Sequence, residues 1–120
     1  MTVILESEWT EGMRNIAAYA KFLAKELMNV DFAVQVVDTT NKFGACYGKR
    51  GLDFNLYALG HDWFDHGATE EVDRLLIHEF GHQFSGDHLS SEYHDGLCHL
   101  GAGLKMLALE KPEKMRTFMR

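Results

Sequence analysis

A chain of 120 residues, 46% hydrophobic and 25% charged, has the size and composition of one globular domain with its own core, so a single domain over 1–120 is expected. No segment approaches the roughly 20 apolar residues of a bilayer span, and MTVILESEWTEG lacks the basic start and long apolar stretch of a secretory signal; a cytoplasmic location and no membrane partner are expected. A net charge of -6, with Lys and Arg scattered apart from Lys49-Arg50 and a weakly basic C-terminal end, leaves no cationic track for a nucleic-acid backbone, and no nucleic-acid partner is expected.

From Thr10 to about Met28, Met13, Ile16, Ala17, Ala20, Leu23, Ala24 and Leu27 recur at the three- and four-residue steps of an amphipathic helix. Phe32 to Val37 is apolar and β-branched, and DTTNKFG after it supplies turn residues, which predicts a strand and its end. Ala45-Cys46-Tyr47, a turn over 48–51 and LDFNLY, in which Leu52, Phe54 and Leu56 alternate with polar or amphipathic residues, read as a hairpin. LGHDWFDHGA reads as a loop. Thr69 is placed to cap a helix that opens on Glu70, Glu71 and Asp73 and runs to about Phe84 with Val72, Leu75, Leu76, Ile77 and Phe80 on its buried face. Ser85-Gly86 stops it, Ser90 or Ser91 caps another, and Tyr93, Leu97, Leu100, Leu104 and Leu107 mark the last helix, which Pro112 is expected to end. The expectation is an α+β fold: an N-terminal helix, a sheet of about three strands, the helix over 70–84 and a C-terminal helix.

Histidine is the unusual component, with seven in the chain and five of them between 78 and 99. In IHEFGHQFSGDH, His78 and His82 are four apart, so on a helix they stand one turn above each other and point two imidazoles at one ion. Glu79 lies about 100° around the helix from His78, near enough to take a proton from a water activated by that ion without ligating it. A hydrolytic zinc keeps three protein ligands and an open position. His88 is the candidate third ligand, because Ser85-Gly86 offers a place where the chain turns back with positive φ. Asp87, Glu92, His94 and Asp95 are rivals for that place, and Asp87 and Asp95 are alternatively acceptors that orient a ligand imidazole. The structural alternative is a buried His78 with His82 and His88 exposed near a helix end.

HEFGHQFSGDH resembles the zincin metallopeptidases, and its histidine spacing matches the extended metzincin pattern HExxHxxGxxH. The family's glycine position falls on Ser85 here, with Gly86 one residue later, and no Met-turn is recognisable at Met106 or Met115. The resemblance implies Zn2+ held by His78, His82 and His88, Glu79 as general base, and a peptide or protein substrate. It also implies that a strand such as GLDFNLYAL offers its edge to an extended peptide. A similar pattern, HGxxHxxGxDH, belongs to the zincin-like endoribonucleases of ribosomal RNA maturation. Asp87-His88 fits that ending, whereas Glu79 and the acidic chain favour peptide over RNA hydrolysis. A metal-binding interaction module without catalysis is the reading from a different class.

An oxyanion donor would come from Tyr47, Tyr93, His94 or His99, each of which also has a structural reading. His61 and His66 either line the cleft or sit in a surface loop anchored by Trp63 and Phe64. Cys46 and Cys98, with no CxxC spacing, are expected as free thiols, Cys46 in a strand and Cys98 in the core.

Overall fold

The computed structural model describes residues 1–49 and 51–119. Its four-stranded mixed sheet has the order β1-β2-β4-β3, with β1 at Thr2–Ile4, β2 at Ala33–Asp38, β3 at Ala45–Gly48 and β4 at Gly51–Asn55. β1 runs antiparallel to β2, β2 parallel to β4, and β3 antiparallel to β4. Leaving β2, the chain passes to the far edge as β3 and turns back into the gap as β4. Arg50, in the turn expected between the hairpin strands and half of the Lys49-Arg50 pair, lies outside the described residues.

Three strands were expected and four are found. The addition is β1, a three-residue edge strand too short to show alternation. A second correction concerns β4. The stretch expected to offer a free edge over 52–57 is internal, flanked on both sides, and the edge beside it is β3. β4 also stops at Asn55, where the fully buried side-chain amide captures the 39–43 loop. Its Oδ1 accepts from Thr39 N–H, and its Nδ2 lies 2.9 to 3.2 Å from the carbonyl oxygens of Thr39, Asn41 and Phe43. An amide bonded to backbone in this way replaces a continued ladder, and Leu56–Leu59 turns off as a short helix, α2.

The helices follow from their caps and stripes. α1, Glu11–Met28, starts where Thr10 Oγ1 accepts from Met13 N–H and buries Met13, Ile16, Ala17, Tyr19, Ala20, Leu23 and Ala24. α3, Glu70–Phe80, is capped by Thr69 and buries Val72, Leu76 and Phe80 in the same core as Val34, Val36, Leu52 and Phe54 of the sheet. The hydroxyl of Tyr19 donates to Asp73 at 2.5 Å, tying α1 to α3. α4, Ser91–Glu110, is capped by Ser90 and buries Tyr93, Leu100 and Leu107.

The remaining departures are local. α3 ends at Phe80 instead of about Phe84 and continues as a 3-10 turn over Gly81–Gln83. The stretch read as a loop holds α2 and a 3-10 turn at His61–Phe64, whose Phe64 is buried and packs on Phe54 and Trp63. Pro112 opens a further helix, α5 (Pro112–Thr117), because a proline at the first helical position gives up only an N–H that has no partner there. Cys98 faces out from α4, so the core placement does not hold; Cys46 and Cys98 are both exposed free thiols. No helix among the described residues is long and apolar enough to cross a membrane.

Candidate metal centre

His78 stands on the last turn of α3 and His82 on the 3-10 turn that prolongs it, their ring centroids 5.8 Å apart. His88 returns to the pair from the segment leading to α4, its ring 4.9 Å from His78 and 4.4 Å from His82. One donor atom from each comes within 4.8 Å of the others. Tetrahedral zinc–imidazole bonds of about 2.0–2.1 Å set nitrogens roughly 3.3 Å apart, so an ion asks for at most about 1.5 Å of closure by rotating side chains. The three histidines are positioned to hold a metal ion.

The return of His88 is built differently from the expectation. Gly86 does not take positive φ. The turn is made by side chains: Asp87 N–H donates to Ser85 Oγ at 3.1 Å, and Leu89 N–H to Asp87 Oδ1 at 2.9 Å. The Ser85 and Ser90 hydroxyls meet at 2.9 Å, and Ser90 Oγ donates to Asp87 O at 2.8 Å. Serine and aspartate side chains that bond nearby backbone reverse the chain without a left-handed residue. Ser90 also caps α4, so the turn and the next helix are locked together.

His82 is oriented by the same turn. Its Nδ1 lies 3.2 Å from the Ser85 carbonyl oxygen, and a carbonyl only accepts, so Nδ1 carries the proton and Nε2 keeps the lone pair a metal needs.

Glu79 is buried, 7% exposed. Its Oε1 accepts the Tyr47 N–H of β3 at 3.1 Å, and its Oε2 lies 3.8 Å from His78 Nε2. Burial pushes its carboxyl above the usual carboxylate range, opposed by His82 and by the Tyr47 hydrogen bond. Partial burial, followed by the neighbouring His88 and His82 rings, holds His78 below the ordinary histidine value, which favours the neutral form that ligates.

The cluster opens into a cleft of about 450 Å³ lined by Phe43, Ala45, Cys46, Tyr47, Gly86, Glu79 and the three histidines. A cavity of about 510 Å³ at Glu11, Arg14, Asn15 and Phe64 gathers no comparable ligand set.

The rivals for the third ligand place stay out of the cluster among the described residues. Asp87 is the turn acceptor described above, and Glu92, His94 and Asp95 are exposed on α4. His99 packs against Phe84 and lines a separate cavity with Glu26 and Lys111. His61 and His66 do not line the cleft. Of the phenols, Tyr47 donates to Gln83 Oε1 at 2.6 Å, whereas Tyr93 donates to the His78 carbonyl at 2.7 Å and so is not aimed at a substrate. Gln83, Ser85 and Ser90 were not singled out for these contacts from sequence. The one available signal was Ser85 standing where the spacing pattern has glycine. Comparison with family models, with curated proteins and with solved structures finds no match to the chain.

Proposed function

We propose that the protein is a zinc-dependent peptide hydrolase, with His78, His82 and His88 as metal ligands and Glu79 as general base. The observation that carries this reading is the place of Glu79: a buried carboxylate beside three converging imidazoles and hydrogen-bonded to an edge strand. A structural histidine cluster has no need of such a carboxylate, whose burial carries a desolvation cost that only pairing and hydrogen bonds offset. The three-imidazole set suits zinc first among divalent ions. Bound there, zinc supplies Lewis acidity and a water acidic enough to be deprotonated near neutral pH.

The residues of the chain do the rest. Glu79 takes the proton of the attacking water and passes it to the amine nitrogen as the C–N bond breaks. Its raised proton affinity suits both transfers. β3 replaces the expected 52–57 strand as the peptide-aligning edge: Tyr47 N–H points away from β4 to Glu79, and Ala45 and Tyr47 line the cleft, so the unpaired side of β3 faces an extended substrate. The resemblance to zincins implies an edge strand in this part, and here that edge belongs to β3 and not to the GLDFNLYAL strand. The described cleft lining holds no Lys or Arg for a phosphodiester backbone, which supports peptide over RNA.

The test is a peptide-library digest with zinc-loaded protein beside Glu79→Gln. The parent is expected to hold one zinc per chain and cleave, and the variant to keep its zinc while cleaving roughly 10²–10⁴-fold more slowly. A zinc-loaded parent that cleaves no peptide, or a variant as fast as the parent, overturns the reading. Salt-sensitive RNA cleavage in place of peptide cleavage would move the protein to the endoribonuclease reading.

A further inference from the structure

Tyr93 sits on the first turn of α4 and is 3% exposed. Its ring centroid lies 6.1 Å from that of His78, 5.2 Å from His82 and 5.0 Å from His88, so one buried ring backs all three imidazoles. Its approach is permitted by Gly81, where a Cβ would lie 2.5 Å from Tyr93 Cε1.

The hydroxyl makes two contacts on His78, one of 2.7 Å to the backbone oxygen and one of 3.2 Å to Nδ1. Two oxygens at 2.7 Å repel unless a proton lies between them, and the phenol is the only one of the pair that has a proton. That proton is therefore spent on the carbonyl. Toward Nδ1 the phenol oxygen offers a lone pair, so the hydrogen of this second contact must belong to the imidazole. His78 is thereby held with the proton on Nδ1 and the lone pair on Nε2, the nitrogen on the Glu79 side.

We propose that Tyr93 is a positioning residue of the metal centre: its hydroxyl selects the tautomer of His78, and its ring is the floor against which the three imidazoles rest. The metal half of this inference rests on the zinc reading above; the tautomer half does not. His82 receives the same instruction from the Ser85 carbonyl, so two ligands from different turns are set before an ion arrives. A ligand imidazole whose proton is free to sit on either nitrogen must first be put in the ligating form, and partners that fix it are worth on the order of 10–100-fold in metal affinity.

The experiment uses nitrogen-detected NMR of the histidine rings in the metal-free protein, and zinc affinity by competition with a chromophoric chelator, for the parent and Tyr93→Phe. The parent is expected to show His78 as the Nδ1–H tautomer. In Tyr93→Phe, which keeps the ring and the fold, that ring is expected to become a mixture, and zinc to bind on the order of 10–100-fold more weakly. A folded parent with His78 protonated on Nε2 overturns the proposal without any variant. So does a Tyr93→Phe protein whose His78 tautomer is unchanged, whatever happens to zinc. A parent that shows the Nδ1–H tautomer and takes up no zinc sinks the zinc reading and leaves the hydrogen-bond assignment standing.

Discussion

His78 and Glu79 stand on the last turn of an eleven-residue helix: Glu79 shares the buried side with Val72, Leu76 and Phe80, which is sealed in the core, and His78 faces away from it. His88 stands on a segment without regular structure, held by the side chains of Ser85, Asp87 and Ser90 and with no core residue of its own. The same cluster is thus built by two kinds of force. The helical half inherits its geometry from hydrophobic burial and fails only when the fold fails. The returning half depends on a few local hydrogen bonds, each worth little to global stability, and can fail alone.

The largest expected effect comes from attacking the helical half through its core. Leu76 is fully buried beneath the helix, so Leu76→Ala should cost about 2–5 kcal/mol of unfolding free energy, read by denaturant titration. Because the helix and the core are one object, zinc affinity should fall in parallel with the population of folded protein. A variant of unchanged stability that had lost zinc would show that the helical half has a local weakness after all.

Ser85→Ala sharpens the comparison from the other side. It removes the acceptor for Asp87 N–H and the partner of the Ser90 hydroxyl, and touches no core residue. Zinc affinity should drop about tenfold, in line with the loss of an outer partner of a ligand, while the unfolding midpoint moves little. Equal zinc affinity in Ser85→Ala and parent would mean that the backbone of 84–90 holds His88 without the serine network.

The same division governs what the sequence revealed. The 3.6-residue period from Val72 to Phe80 and the cap at Thr69 are short-range signals, and they place His78, Glu79 and His82 on one segment because burial enforces the period. A glycine turn at Ser85-Gly86 is the expectation that brings His88 near, and the chain does turn back at this place, but through serine and aspartate side chains. Such bonds have no periodicity, and each of those residues is as often solvated. Strand order was illegible for a related reason. Leu52 and Phe54 show that β4 has a buried face, but nothing local says which strands pair on either side of it, and the free edge belongs to β3. Tyr93 carried a visible signal as a helix-stripe aromatic after the motif; the direction of its hydroxyl depends on Gly81 admitting the ring, a contact between two elements.

The smallest expected effect isolates the charge on the helical half. Burial raises the folded pKa of Glu79 above its unfolded value, so the folded protein binds a proton more tightly than the unfolded one. The stability linked to this carboxyl is fully present below its unfolded pKa and is lost as pH rises through its folded pKa. At neutral pH the ionised carboxylate is therefore a burden on the metal-free protein, one that Glu79→Gln removes while an amide oxygen remains to accept Tyr47 N–H. His78 acts in the opposite sense: its folded pKa is lowered, so its contribution is lost as pH falls through the histidine range. His78 is present in both proteins, so the difference between their curves reports mainly Glu79. Thermal unfolding of metal-free parent and Glu79→Gln from about pH 8 to about pH 4 should show the variant more stable at neutral pH and the gap closing as pH falls through the folded pKa of Glu79. A gap independent of pH, or a parent more stable than the variant at neutral pH, would mean that the carboxylate is already stabilised where it sits. The helical half would then have no stored desolvation cost for a bound cation to relieve.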